Sequence, residues 1–225
     1  MPRSARQLAD GYIYHVLNRG NNKQTVFHKS GDYRAFIRLM EDAKKRHPLQ
    51  IYGYCLMPNH FHIVLRPSQA QCLSSFMRWL LTSHVRRYHG YHETSGHLWQ
   101  GRYKSFIIQE DEHFLTALRY VERNPLRAHL VSTSLDWPWS SLKENIGADV
   151  TRLLDPLPLG LPNNWATFVD IPLANEEIEH FRTSIVRQSP FGDAQWQKLV
   201  CRTLGLESTM RPRGRPKKGT VPFFA

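Results

Sequence analysis

Tyr54-Cys55-Leu56-Met57-Pro58-Asn59-His60-Phe61-His62-Ile63-Val64-Leu65-Arg66-Pro67 is the stretch on which the fold of this chain turns. Two apolar runs flank Pro58-Asn59, a short turn suited to an antiparallel hairpin, so Gln50 to Met57 and His60 to Arg66 are expected to be paired strands. Strand side chains alternate between faces, so His60 and His62 point one way while Phe61 and Ile63 point the other. Two polar rings in so apolar a strand cost free energy unless they find partners. Imidazole is the commonest protein metal ligand, which makes the pair a candidate cation site; the alternative is two solvated or hydrogen-bonded strand histidines.

Working outward, Tyr12 to Asn18 reads as a first strand that ends in the turn-rich Arg19-Gly20-Asn21-Asn22. Ser30 or Asp32 can cap a helix in which Tyr33, Phe36, Ile37 and Met40 recur at helical spacing up to His47-Pro48. Beyond the hairpin, Leu73, Phe76, Met77, Leu80, Leu81, Val85 and Tyr88 form the apolar stripe of a second helix. Ser105 to Ile108 follows as a strand and Asp111 to Arg123 as a third helix, with acids in its first turn. This order predicts an α+β fold, a ferredoxin-like βαββαβ antiparallel sheet with helices on one face and one added helix. Residues 147–172 hold Pro156, Pro158, Pro162 and Pro172 and read as a connector. Asn175 and Asp193 can then cap two short helices, with Phe181 facing inward on the first and Trp196, Leu199 and Val200 on the second. The expected organisation is therefore a first domain over 1–146, a Pro-rich connector over 147–172, a small helical extension over 173–207 and a basic tail over 208–225.

The balance of 30 Lys+Arg against 19 Asp+Glu gives the 225 residues a formal net charge of +11. That excess favours polyanionic partners, nucleic acid first and an anionic membrane surface second. No run of 18 apolar residues is present and Met1 to Gln7 leads into no apolar stretch, so neither a membrane span nor a secretory signal is expected. A soluble, cytoplasmic chain is the expectation. Cys55, Cys72 and Cys201 are too far apart for a C-x-x-C site and odd in number, which argues against a disulfide framework.

A cation held by His60 and His62 needs at least one more ligand, and phosphoryl transfer also needs a nucleophile nearby. Tyr120 and Asn124 lie four apart in Arg119-Tyr120-Val121-Glu122-Arg123-Asn124-Pro125, so a helix would set phenol and carboxamide about one turn apart on one face. The plainer alternatives are a core tyrosine with a satisfied hydroxyl, and an asparagine that ends the helix before Pro125.

Four blocks carry a resemblance: Met57 to Ile63, Gly96 to Ser105, Tyr120 to Ala128, and Asp136-Trp137-Pro138-Trp139-Ser140-Ser141. Together they resemble the REP-associated tyrosine transposases, single-tyrosine members of the HUH endonuclease superfamily, over roughly residues 10–145. The resemblance implies that His60 and His62 bind Mg²⁺ or Mn²⁺, that Tyr120 is the nucleophile, and that Asn124 stands where relatives carry a polar third ligand. It also implies a bacterial, nucleoid-associated enzyme that cuts and joins single-stranded DNA at REP-type hairpins through a 5′-phosphotyrosine intermediate. The partner would be a DNA hairpin with its adjoining single strand. Assembly stays open between monomer and homodimer.

Cations and amides that would contact such DNA include Arg19, Asn21, Asn22, Arg78, Arg86, Arg102 and Lys104, with Asn18, Lys23 and Trp99 as further candidates. Arg213-Gly214-Arg215-Pro216 matches the core of an AT-hook, which would place Arg213 and Arg215 in a narrow minor groove; a generic basic tail is the alternative. Two rival functions remain open: a catalytically silent DNA-binding regulatory protein with the same fold, and a phosphoesterase that activates water.

Overall fold

A computed structural model describes residues 8–149 and 153–211; the expected AT-hook arginines, Arg213 and Arg215, lie outside the described residues. Four strands, β1 (Ile13–Arg19), β2 (Leu49–Met57), β3 (His60–Pro67) and β4 (Lys104–Ile108), form one antiparallel sheet in the order β2-β3-β1-β4. This is the α+β arrangement that the order of elements predicts. The hairpin turns at Pro58-Asn59 as expected, with Met57 opposite His60.

Alternation decides what each face buries. Tyr14, Val16, Phe61, Ile63 and Leu65 point into one apolar layer with α1 (Ser30–Arg46) and α2 (Ala70–His92). The other face presents Ile13, Cys55, Val64, Phe106 and Ile108 to α3 (Glu112–Glu122), the added helix. A bulge between Ile51 and Gly53 slips the β2 register by one residue. Gly53 thereby lies under α3, where a Cβ would stand 2.2 Å from Leu118 Cδ1.

After α3, Pro125 cannot donate the next helical hydrogen bond, and the chain restarts as α4 (Asn124–Arg127). Short helices α5 (Leu142–Asn145) and α6 (Trp165–Asp170) precede α7 (Asn175–Arg187), α8 (Ala194–Leu204) and α9 (Glu207–Met210). The segment expected as a plain connector thus carries α6, whose Trp165 is buried against the α3 layer. The reason is Glu122, wholly buried on α3: its carboxylate accepts from Ser141 Oγ, Asn145 Nδ2 and Trp165 Nε1, all at 2.7 Å. Helix α7 packs on β4 and α3, while Leu199, expected inside α8, is exposed.

Both edges of the sheet are covered. Leu56 donates to the Trp139 carbonyl and Ser141 to that of Tyr54 along β2, while Phe191 donates to the Ile107 carbonyl and accepts from Gln109 along β4. Neither edge strand therefore offers a run of unpaired backbone to another sheet.

Burial raises the Glu122 carboxyl from its ordinary 4.5 to about 6, against the opposing pull of its three donors. A raised folded-state value means that the proton binds the folded chain more tightly than the unfolded one. The stability this adds is present in full below about pH 4.5 and is lost as pH rises through about 6, a change on the order of 2 kcal/mol. Glu122→Gln, compared with the parent chain in urea denaturation between pH 4.5 and 7, should flatten that part of the profile.

Candidate active site

His60 opens β3 at the hairpin tip, and its position is fixed by a clamp of backbone bonds. Pro58 accepts from Val26 and Phe27 and Asn59 accepts from Gly20, so the loop after β1 is tied across the turn. At Gly20 a Cβ would lie 2.3 Å from the Gln24 carbonyl oxygen, a backbone atom that cannot swing aside. Gly20→Ala is expected to cost about 1–3 kcal/mol through the forced shift, read by chemical denaturation.

The two imidazoles are buried, with ring centroids 5.0 Å apart and planes at 84°. Each is oriented through Nδ1. The Nδ1 of His60 is 2.7 Å from Asn59 Oδ1, and because Asn59 Nδ2 donates to Lys23, that oxygen must accept from His60. The Nδ1 of His62 is 2.8 Å from Nε2 of His15, a fully buried residue on β1. Burial lowers His60 to about 3, helped by Arg19 and Arg127, and pushes His62 well below its ordinary value. Both rings are therefore neutral at pH 7, the form in which imidazole has a lone pair to offer.

Tyr120 comes to the same place from α3. Its ring lies 6.1 Å from that of His62 and 4.3 Å from Phe181 on α7. Arg127 sits 5.3 Å from the centre of the Tyr120 ring and donates to Asn124 Oδ1 at 2.8 Å. Arg182 of α7, paired with Glu179 at 2.7 Å, lies close enough to Tyr120 for the two side chains to interact electrostatically.

Asn124 is fully buried, and its Nδ2 has no hydrogen-bond partner among the described residues. Its Oδ1 is engaged by Arg127, yet a carbonyl oxygen has two lone pairs and can also serve a cation. Neutral imidazoles and a carboxamide oxygen are donor types that a divalent cation accepts. Carboxylates take no part in this set: the nearest on α3, Glu122, is consumed by its three donors. Another group with ligand-like spacing, Asp111, Glu112 and His113, lies at the α3 N-terminus, where Asp111 caps the helix by accepting from the His113 amide.

The expected DNA-contacting residues divide. Arg19, the last residue of β1 and opposite His60, lies at the same end of the sheet as Asn21 and Asn22 in the turn that follows it and Arg102 before β4, a region knit together by Asn21 donating to the Leu98 carbonyl, Gln100 to that of Arg19, and Asn18 Nδ2 to that of Gly101. Lys104 is exposed at the start of β4. Arg78 and Arg86 are exposed on α2, the layer on the opposite face, and are not brought to the histidines. Trp99 is a core residue, 5.3 Å from Phe61, and His97 is exposed. His15 was not legible as a site residue, because its approach to His62 depends on β1 lying beside β3, a pairing set by the whole sheet. Its one sequence signal is the alternation Ile13, His15, Leu17, which sets a polar ring in an apolar row.

Residues 9–124 match the family model described as Transposase IS200 like. A Haemophilus influenzae protein assigned by name to the REP-associated tyrosine transposases is 23% identical over 177 residues, covering 73% of this chain and 92% of the relative. A solved REP-associated tyrosine transposase bound to a REP hairpin is similar in structure at a TM-score of 0.55 and 17% identity, over 73% of this chain and 94% of that one. Tyr120 and Asn124 fall inside the family match; α5 to α9 lie beyond it.

Proposed function

This chain belongs to the IS200-like transposase family, and on that premise we propose that it cuts and rejoins single-stranded DNA beside hairpins of the REP type, using Tyr120 as nucleophile and a divalent cation on His60, His62 and Asn124. One observation carries the reading. Tyr120 and His62 of a single chain lie with ring centres 6.1 Å apart, with Arg19 and Arg127 close enough to depress the histidines. A site of neutral donors, a phenol and two guanidiniums is short of negative charge, and a phosphate diester supplies it.

In the proposed step the Tyr120 oxygen attacks phosphorus, the P–O3′ bond breaks, and the departing 3′ oxygen leaves as a hydroxyl once it gains the proton the phenol gives up. The 5′ phosphate stays on Tyr120, so the bond energy is kept and a 3′-hydroxyl can reverse the step on another strand. Bound Mg²⁺ or Mn²⁺ would neutralise a non-bridging phosphate oxygen and draw off developing charge. Arg127, over the Tyr120 ring and on Asn124, holds nucleophile and third ligand in one register. Arg19, Asn21, Asn22 and Arg102 line the end of the sheet by which a strand would enter, and fix phosphates there.

The same reading assigns catalysis to residues 1–146, treats 147–172 as the connection to the helical extension over 173–207, and gives the tail over 208–225, with Arg213 and Arg215, the role of adding DNA affinity. Since Tyr120 lies beside His62 of its own chain, this reading requires only one protomer. Incubating the full chain with end-labelled hairpin DNA carrying a single-stranded flank, with Mn²⁺ or Mg²⁺, should give a cut strand and a protein adduct that survives denaturation. Cutting with no adduct would favour activated water; binding with no cutting across several hairpins would favour the silent DNA-binding protein.

A further inference from the structure

Building on the cation-site reading of His60 and His62, we infer that His15 is a positioning residue for that site, holding His62 in the tautomer that presents Nε2 as a bare lone pair. His15 Nε2 and His62 Nδ1 are 2.8 Å apart and fully enclosed, so the two rings share one proton in this contact. Two arrangements of neutral rings satisfy it. If His62 donates from Nδ1, its Nε2 is free to bind a cation and His15 carries its own proton on Nδ1. If His15 donates from Nε2, the proton of His62 sits on Nε2, and that ring cannot be a ligand there.

The surroundings of His15 favour the first arrangement. Its Nδ1 is buried with no hydrogen-bond partner among the described residues. The ring lies between Phe106, 4.8 Å away, and Phe181, at 5.2 Å in an edge contact. An N–H among aromatic rings gains weak attraction from their π-faces, whereas a lone pair gains none. A proton on His15 Nδ1 leaves Nε2 as acceptor, and His62 is then the donor. His60 reaches the same state through Asn59 Oδ1, so both histidines offer Nε2.

Carboxylates and backbone carbonyls commonly orient a metal-bound histidine from behind. An imidazole in that position orients the ring without adding negative charge, which keeps the pocket suited to an anionic diester. Phe181 belongs to α7, beyond the family match, so the extension takes part in setting the polarity of this relay.

The test uses the full chain and Mn²⁺ followed by electron paramagnetic resonance, with ring-nitrogen NMR on the metal-free protein. His15→Phe, which fills the space and removes the acceptor, should weaken Mn²⁺ binding about 10–100-fold, and His15→Gln, which can accept through Oε1, should restore most of it. In the parent chain the protons of His15 and His62 should both reside on Nδ1. Unchanged Mn²⁺ affinity in folded His15→Phe, or a proton on His62 Nε2, overturns the inference; the NMR result decides it even where His15→Phe does not fold. A parent chain whose Mn²⁺ affinity matches that of His60→Ala/His62→Ala removes the cation-site reading itself, a distinct outcome.

Discussion

Tyr120→Phe should abolish the covalent adduct and reduce strand cutting by at least about 10³-fold, in line with the loss of a sole nucleophile. The substitution deletes one oxygen and retains the ring. That ring is what packs on Phe181 at 4.3 Å and supports Arg127 at 5.3 Å, so the pocket keeps its shape. Hairpin binding should therefore persist while chemistry stops. Affinity measured by fluorescence anisotropy and cutting measured on denaturing gels separate the two effects. Parallel loss of both would show that the hydroxyl serves architecture rather than attack.

Replacing both His60 and His62 by alanine should eliminate Mn²⁺ binding and lower cutting by roughly 10³-fold or more, since charge on the reacting phosphate would lose its main counterweight. Both side chains are buried, and the double variant also strips His15 of its partner, so a fall in thermal stability will accompany the loss. His62→Leu is the milder companion: it fills most of the volume yet offers no ligand atom. Both variants should respond little to added Mn²⁺, whereas the parent chain should gain thermal stability as the ion is titrated in. Cutting that survives in the double variant would move the cation elsewhere, with Asp111, Glu112 and His113 the next group to examine.

The parity of the hairpin made much of this site readable. His60 and His62 had to share a face because strand side chains alternate, and Phe61 and Ile63 had to occupy the other layer. The order of strands and helices led to the sheet in the same way, through periodicity and turns. What stayed hidden depends on contacts distant in sequence. His15 meets His62 across 47 residues, a pairing that local pattern does not encode. Glu122 looks like one more surface acid on α3, yet it draws Ser141, Asn145 and Trp165 inward and thereby turns a Pro-rich stretch into packed structure. The placement of Arg78 and Arg86 was hidden for the same reason: which side of the sheet α2 covers is not written in the spacing along that helix, and it covers the side away from the histidines.

Strand cutting on this reading leaves a DNA end bonded to Tyr120. Digesting the adduct formed with Mn²⁺ and a labelled hairpin substrate, then locating the modified peptide by mass spectrometry, tests it most directly. The predicted result is a nucleotide joined through its 5′ phosphate to the peptide containing Tyr120. Attachment to Tyr88, Tyr91 or Tyr103, or cut DNA with no modified peptide, would contradict it.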